Sequence, residues 1–364
     1  MSAQSAKHTV LVTGAAGFVG ARVVETLYLT GAAEVRAGIR QWSSPGAARL
    51  ARFPVESVFC DVMNKKQVEK AMDGVTVIVH SVLGNGKVNV EGTYNVLNAA
   101  KKHGVHRFVH LSTAAVYGEP SGEIVETAPY SYTGWEYSDS KIEAEKLCFE
   151  YHRQGVPVTI LRPSIVYGPF DKMWIVRFAK KLQTGRLGIF KVYGEGYCNL
   201  IYIDDLVQAI WLATNNEAAV GEAFNVNGPE IITWNELFLR LNAALHLPEL
   251  RKISASRACL NATMMNLTRS ILSSIKALMG ESLKKYLIGG TRRTAMGQVA
   301  DSARLSVQRA VTLHDLKHLY NLNAIYVATK AQKTLGYHPI YNVDTGLQLS
   351  VAWLVHHGFV SVAT

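Results

Sequence analysis

Short β-branched runs alternate with stretches of helical periodicity through the first half of the chain. That alternation is the signature of strand-helix-strand units feeding a parallel sheet. His8 to Thr13 reads as the first strand, followed by a glycine-rich turn and a helix through about Leu29. Glu34 to Arg40, Val55 to Asp61 and Thr76 to Ser81 read as the second, third and fourth strands. Between Asn89 and His103 the apolar residues Val90, Tyr94 and Leu97 recur at helical spacing, and Arg107 to Ser112 returns to strand. A further helix is predicted over Trp135 to Gln154. Pro157 to Val166 is apolar for most of its length, which implies a strand buried on both faces.

Past Gly168 the alternation loosens. Leu200 to Ile203, Asp204 to Thr214, Ala223 to Val226 and Thr233 to Leu245 read as strand, helix, strand and helix, and Thr233 with Glu236 makes a capping box for the last. Met264, Leu267, Ile271, Ile275 and Leu278 fall on one stripe of a helix, and a final amphipathic helix is predicted near Asp344 to His356. The pattern predicts an α/β fold. A Rossmann-type, doubly wound parallel sheet should fill residues 1–168, with a smaller α+β region over 169–364 that binds substrate and caps the carboxyl ends of the sheet.

Composition narrows this picture. A chain of 364 residues that is 48% apolar can bury a sizeable core. No apolar run reaches the roughly 18 to 20 residues that span a bilayer, and the polar lead MSAQSAKH runs straight into a strand, so neither a membrane span nor a signal peptide is expected. The four cysteines lie far apart, without metal-site or disulfide-framework spacing; a reducing, cytoplasmic setting and no metal are the expectation.

The net charge of +10 is local. Between Arg251 and Tyr320 twelve Lys and Arg stand against Glu281, Asp301 and Asp315 alone. This basic segment, near 255–320, lacks the interleaved aromatics of a nucleic-acid surface, so nucleic acid is not an expected partner. Over 261–293 its apolar stripe and cationic remainder suit either a lid or core helix with a solvated face, or a peripheral membrane contact.

The turn Thr13-Gly14-Ala15-Ala16-Gly17-Phe18-Val19-Gly20 links the first strand to the first helix. Glycines there let the backbone approach a pyrophosphate whose charge the helix N-terminus meets, which points to a dinucleotide held by Gly14, Gly17, Phe18, Val19 and Gly20. Asp61 ends the third strand, where its carboxylate suits either an adenine amino group or the N-cap of the helix that follows. No acidic residue ends the second strand to hold a ribose 2′-hydroxyl. Arg36 and Arg40 stand there instead, and a guanidinium suits a 2′-phosphate. NADP is therefore the expected cofactor and NAD the alternative, with either arginine otherwise a solvated strand-end charge.

Tyr137 and Lys141 stand four apart on the helix predicted over Trp135 to Gln154, hence on one face. A phenol ordinarily ionises near pH 10, and a neighbouring cation would ease its deprotonation. Ser112 and Thr113 place hydroxyls at the carboxyl edge of the sheet, where such folds hold their ligands.

With these residues in place, the chain resembles an extended short-chain dehydrogenase/reductase of the NAD-dependent epimerase/dehydratase superfamily, and also its 3-beta-hydroxysteroid dehydrogenase branch. The resemblance rests on TGAAGFVG, CDV at Cys60 to Val62, NVEGTYNVLNAA, STAAVYG, YSDSK, RPSIVYGP and IYIDDLVQAI, in the family's order over roughly the first 215 residues. It implies that Tyr137 is the general acid/base, that Lys141 also holds the nicotinamide ribose, and that Thr113 hydrogen-bonds the substrate oxygen. It further implies cofactor contacts at Val62, His80 and Pro163, a small-molecule substrate, and a homodimer formed through the helices around Tyr137.

Two departures bear on substrate. His80-Ser81-Val82-Leu83 and a shortened GNGK loop replace the family's His-x-Ala-Ala. Tyr193 to Leu206 also lacks the arginine that holds sugar-nucleotide phosphates, offering only Cys198 and Asn199. Interconversion of a secondary alcohol and a ketone is the first expectation. Sugar epimerisation or dehydration is the second, although Ala114 and Ala115 occupy the place of a dehydratase's acidic residue. A cofactor-binding scaffold or redox sensor without turnover is the third.

Overall fold

The computed structural model describes residues 8–256 and 315–360. The sequence places a strand, a glycine turn and a helix in repeating order, and the chain winds accordingly. The strands and helices of the first half are β1 (Thr9–Thr13), α1 (Phe18–Leu29), β2 (Glu34–Ile39), α2 (Pro45–Leu50), β3 (Glu56–Phe59), α3 (Lys65–Ala71), β4 (Val77–His80), α4 (Thr93–His103), β5 (Arg107–Leu111), β6 (Gly122–Ile124), α5 (Glu136–Arg153), β7 (Val158–Pro163) and β8 (Ile165–Tyr167). Then come α6 (Ile175–Gln183), β9 (Ile189–Phe190), β10 (Tyr197–Tyr202), α7 (Ile203–Asn215), β11 (Ala223–Val226), β12 (Ile231–Thr233), α8 (Trp234–Ala244), β13 (Lys252–Ile253) and β14 (Ala324–Tyr326). Helices over Thr329–Leu335 and Val343–His356 follow.

Seven parallel strands form one sheet in the order β11-β7-β5-β4-β1-β2-β3. The chain starts in the middle at β1, winds out to β3, and returns to the other side of β1 at β4. That reversal puts the topological switch point between β1 and β4, where open α/β sheets bind ligands. Thr13 pairs with Gly38 on one side and His80 on the other, so the glycine turn and the His80 loop leave the sheet side by side. One face of the sheet packs Val12, Val79 and Val109 against α1 and α7, and the other packs Ile78 and Phe108 against α4 and α5.

The division expected at residue 168 is replaced by an interleaved one. Of the described residues, one compact unit takes 8–171 and reclaims 199–231 and 324–346; the other takes 172–198, 232–256, 315–323 and 347–360. The reclaimed pieces complete the sheet. β11, expected in the later α+β region, is its seventh strand and pairs with β7 from Ala223↔Ile160 to Val226↔Pro163. Asp204 on α7 binds Arg22 of α1 through two hydrogen bonds, at 2.5 and 2.8 Å, and the Asp205 carboxylate accepts the backbone N–H groups of Ile340 and Tyr341. The second unit has its own aromatic core, in which Trp234 lies 4.9 Å from Tyr320 and Phe178 lies 5.4 Å from Phe238 between ring centroids. The capping box of Thr233 and Glu236 opens α8 as the sequence predicts.

The helix predicted over 261–293, and with it the membrane-contact reading, lies outside the described residues. Among the described residues no helix is long and apolar enough to cross a membrane, and no group of His, Cys, Asp or Glu is arranged to hold a metal ion.

Candidate active site

The glycine turn is compact enough to test its residue types directly. Gly14 has φ +72°, and a Cβ there would stand 2.9 Å from the Ser81 carbonyl oxygen. A Cβ on Gly20 would stand 2.4 Å from the Gly14 carbonyl. Gly17 is the N-cap of α1 and offers no capping side chain. The first N–H groups of α1, from Phe18, Val19 and Gly20 onward, have no partner within the helix, and they open at the switch point. This cradle fits a pyrophosphate, and so fits a dinucleotide cofactor.

The neighbouring candidates divide. Asp61 is not the N-cap of α3; Asn64 is, accepting from Gln67 N–H at 3.2 Å. The Asp61 carboxylate is half-buried and accepts from Met63 N–H at 3.0 Å. Val62 is buried, its carbonyl taken by Asn95 at 2.9 Å. Pro163 closes β7 at the same edge of the sheet.

Two candidates are corrected. The Arg36 guanidinium bonds Glu56 at 2.7 Å and the carbonyls of Ala71 and Asp73. It caps the carboxyl end of α3 and is committed there, whereas Arg40 stands exposed just past β2 with no ion pair among the described residues. The His80 ring is turned inward. Its two nitrogens meet the hydroxyls of Thr13 at 2.7 Å and Thr93 at 3.0 Å, so it ties β4 to β1 and α4 and does not face a cofactor. Burial, with the Lys141 charge adding to it, pushes this imidazole down to about 3 and keeps it neutral.

Thr113, Tyr137 and Lys141 come together at the carboxyl edge of β5. Thr113 caps the short 3-10 turn Ala114–Tyr117, accepting from Ala115 N–H at 3.2 Å. Tyr137 lies in the first turn of α5, half-buried, with its phenol near enough to Thr113 to feel that hydroxyl. Lys141, one turn further on, is buried at 4% exposure and donates to the Leu111 carbonyl at 2.8 Å. The expected electrostatic route is altered. Burial raises the proton affinity of the Tyr137 phenol, opposed by the Thr113 hydroxyl. Burial also pulls the Lys141 ammonium down to about 8, against the attraction of Glu145. At neutral pH the phenol holds its proton and the ammonium its charge.

Trp135, Glu136 and the pair Glu145 and Arg162 were not singled out from the sequence as site residues. Trp135 is 58% exposed, with its ring 5.1 Å from that of Tyr137. Leu83, in the altered loop, is 61% exposed. Gly86 N–H donates to Glu136 at 2.8 Å, which holds that loop to the start of α5. Glu145 and Arg162 form a buried pair beneath the site. The Lys-x-x-x-Glu spacing from Lys141 to Glu145 was the one legible signal for it. Asn199, standing where a phosphate-binding arginine was sought, is saturated: it donates to the Ala324 carbonyl at 2.8 Å and accepts from Tyr326 N–H at 3.1 Å.

A glycine-turn dinucleotide cradle beside a Thr, Tyr and Lys set on a doubly wound sheet defines an enzyme of the extended short-chain dehydrogenase type. The chain matches the NAD dependent epimerase/dehydratase family over residues 10–227 and belongs to it. It is 31% identical over 246 residues to an uncharacterized UDP-glucose epimerase of Bacillus subtilis, covering 61% of this chain and 77% of that protein. It is 26% identical over 364 residues to a 3-beta-hydroxysteroid dehydrogenase of Mycolicibacterium neoaurum, covering 93% of this chain and 89% of that one. Its fold matches UDP-glucuronic acid 4-epimerase from Bacillus cereus, solved in complex with NAD, at a TM-score of 0.70 and 21% identity over 96% of this chain and 99% of that one.

Proposed function

We propose that the protein interconverts a secondary alcohol and a ketone on an apolar substrate, with NADP(H) as its preferred cofactor. The reading rests on one arrangement: Tyr137 in the first turn of α5, its phenol protonated at neutral pH, beside Thr113 at the carboxyl edge of the sheet, with Lys141 one turn further on. In the reducing direction Tyr137 gives that proton to the substrate oxygen, and Thr113 orients the same oxygen by hydrogen bond. The bound nicotinamide supplies hydride exchange, which the protein orients. The Lys141 ammonium stabilises the phenolate left behind. The exposed Trp135 and Leu83 at the rim, and the saturated Asn199 in place of a phosphate-binding arginine, favour an apolar substrate over a sugar nucleotide. The similarity to a hydroxysteroid dehydrogenase across 93% of the chain supports the same choice. The free Arg40 and the absence of an acidic residue at the end of β2 support NADP(H).

A second reading, sugar epimerisation, is favoured by the 31% identical relative. It employs the same residues but returns the hydride, so nicotinamide absorbance does not change at steady state. The purified protein should oxidise a 3-beta-hydroxysteroid, or reduce its ketone, with a continuing change at the nicotinamide band. Tyr137→Phe should lower that rate by about 10²- to 10⁴-fold while cofactor still binds. Isomerisation of UDP-glucose with a flat nicotinamide signal would overturn the first reading and support the second.

A further inference from the structure

Beneath the site lies a buried ion pair that the proton-transfer residues do not themselves include. Glu145 is fully buried and Arg162 is 3% exposed. The Arg162 side chain holds the carboxylate with Nε at 3.0 and 3.1 Å and a terminal nitrogen at 2.6 Å. Both carboxylate oxygens are then filled by the Ser112 hydroxyl on one and the Tyr130 hydroxyl, at 2.8 Å, on the other. The other guanidinium arm donates to the Tyr117 hydroxyl at 2.8 Å and to the Glu126 carbonyl at 3.1 Å. Tyr117 passes the chain on to Asn225 of β11 at 2.7 Å. Ser112 precedes Thr113, and Tyr117 ends the turn that Thr113 caps.

Removing charges from water is costly, and a pair such as this is seldom a net source of stability. Its geometry suggests another use. Glu145 lies one helical turn beyond Lys141 on α5, close enough for the two to interact, yet Lys141 makes no ion pair among the described residues and turns to the Leu111 carbonyl. A carboxylate with free lone pairs at that position would take the ammonium for itself. We propose that Glu145 and Arg162 are positioning residues. Their pair anchors the Thr113-bearing turn at both ends and keeps the carboxylate occupied, so that the Lys141 charge remains available to the phenol. This rests on the assignment of Thr113, Tyr137 and Lys141 given above.

The groups that face Lys141 are Tyr137, Glu145 and Cys148 on α5, His80 on β4 and His110 on β5, with Arg162 of β7 behind Glu145. Both imidazoles are kept neutral by burial, and the buried Cys148 thiol keeps its proton. Glu145 and Arg162 are therefore the charges left to govern how Lys141 titrates. Two variants follow, with effects of opposite sign. Glu145→Gln leaves Arg162 unneutralised and should move the Lys141 titration to lower pH. Arg162→Met frees the carboxylate and should move it to higher pH, each by about one unit, a tenfold change in proton affinity.

The measurement is a ¹³C-lysine NMR titration of the full chain, with Lys141→Met used to assign the signal, alongside the pH profile of turnover. The NMR readout does not depend on activity, so it remains interpretable if the proposed reaction proves wrong. A structural role alone would shift neither titration, or both the same way, and either result would overturn the proposal. If a single variant fails to fold, the double variant Glu145→Gln/Arg162→Met, which removes no net charge, decides instead. It should titrate Lys141 near the wild-type pH yet turn over about 10- to 100-fold more slowly, because Thr113 is no longer anchored. Wild-type turnover in the double variant would overturn the anchoring.

Discussion

Lys141 shows what the site costs the fold. Its ammonium is buried and its proton affinity falls from 10.5 to about 8. A base whose folded value is depressed destabilises the native state most below that value. The penalty fades as pH rises from about 8 to about 10.5, where the unfolded chain still binds the proton that the folded chain has released. The full difference is on the order of 3 kcal/mol, offset in part by the bond to Leu111. Lys141→Met should therefore abolish turnover yet stabilise the protein by about 1 to 2 kcal/mol at pH 7, an advantage that shrinks by pH 10; urea titrations of both proteins at the two pH values check it. Cofactor choice is testable at the same scale. Arg40→Ala should weaken NADPH binding about tenfold or more and leave NADH binding nearly unchanged, by isothermal titration. Arg36→Ala should leave the NADPH to NADH ratio unchanged and lower thermal stability, because it uncaps α3. The residue types at the glycine turn and the Tyr-x-x-x-Lys pair were legible because short spacing fixes them on one turn or one helix face. The commitments of Arg36 and His80 were not, because their partners, from Thr13 to Thr93, lie on other elements 13 to 67 residues away.

Among the elements, the strands β1 to β5 and β7 and the capping box of α8 followed from local pattern, whereas the three-residue β6 did not. β11 was legible as a strand over Ala223–Val226, but its place beside β7 was not, because long-range pairing fixes it. The stretch just before α4 reads as regular helix from Asn89, and its actual winding was not legible. Val88–Gly92 is wound as a π-helix, and Asn89 in it donates to the Ser140 hydroxyl of α5 at 3.0 Å. The short helix α2 supplies a prediction. Its Gly46 backbone lies so near the glycine turn that a Cβ there would fall 1.8 Å from the Ala16 carbonyl oxygen. Gly46→Ala must push α2 and the turn apart. It should cost about 2 to 3 kcal/mol and weaken cofactor binding about tenfold. Gly104→Ala is the control: at φ +60° with no atom within 4 Å of the added carbon, it should cost about 1 kcal/mol and leave cofactor binding unchanged. Thermal melts with and without cofactor separate the two.

At the scale of the whole molecule, the dinucleotide-binding unit is assembled from three separate stretches of chain. Leu206, Val207, Ile210 and Phe224 all come from the reclaimed stretch 199–231 and are buried in the sheet's core. At roughly 1.5 to 3 kcal/mol each they contribute about as much as the net stability of a typical domain. A chain ending at Asp171 should consequently lack a cooperative melt and near-ultraviolet circular dichroism and bind a hydrophobic dye, although it carries the glycine turn, Thr113, Tyr137 and Lys141. The same interleaving sets a timetable during synthesis. The outer edge of β7 has no neighbour until the ribosome has released residue 226, and the helix over Thr329–Leu335 that packs on this unit emerges about a hundred residues later. For that interval the nascent protein carries an open, apolar strand edge, the kind of surface that chaperones recognise and that pairs wrongly with other chains when they are scarce.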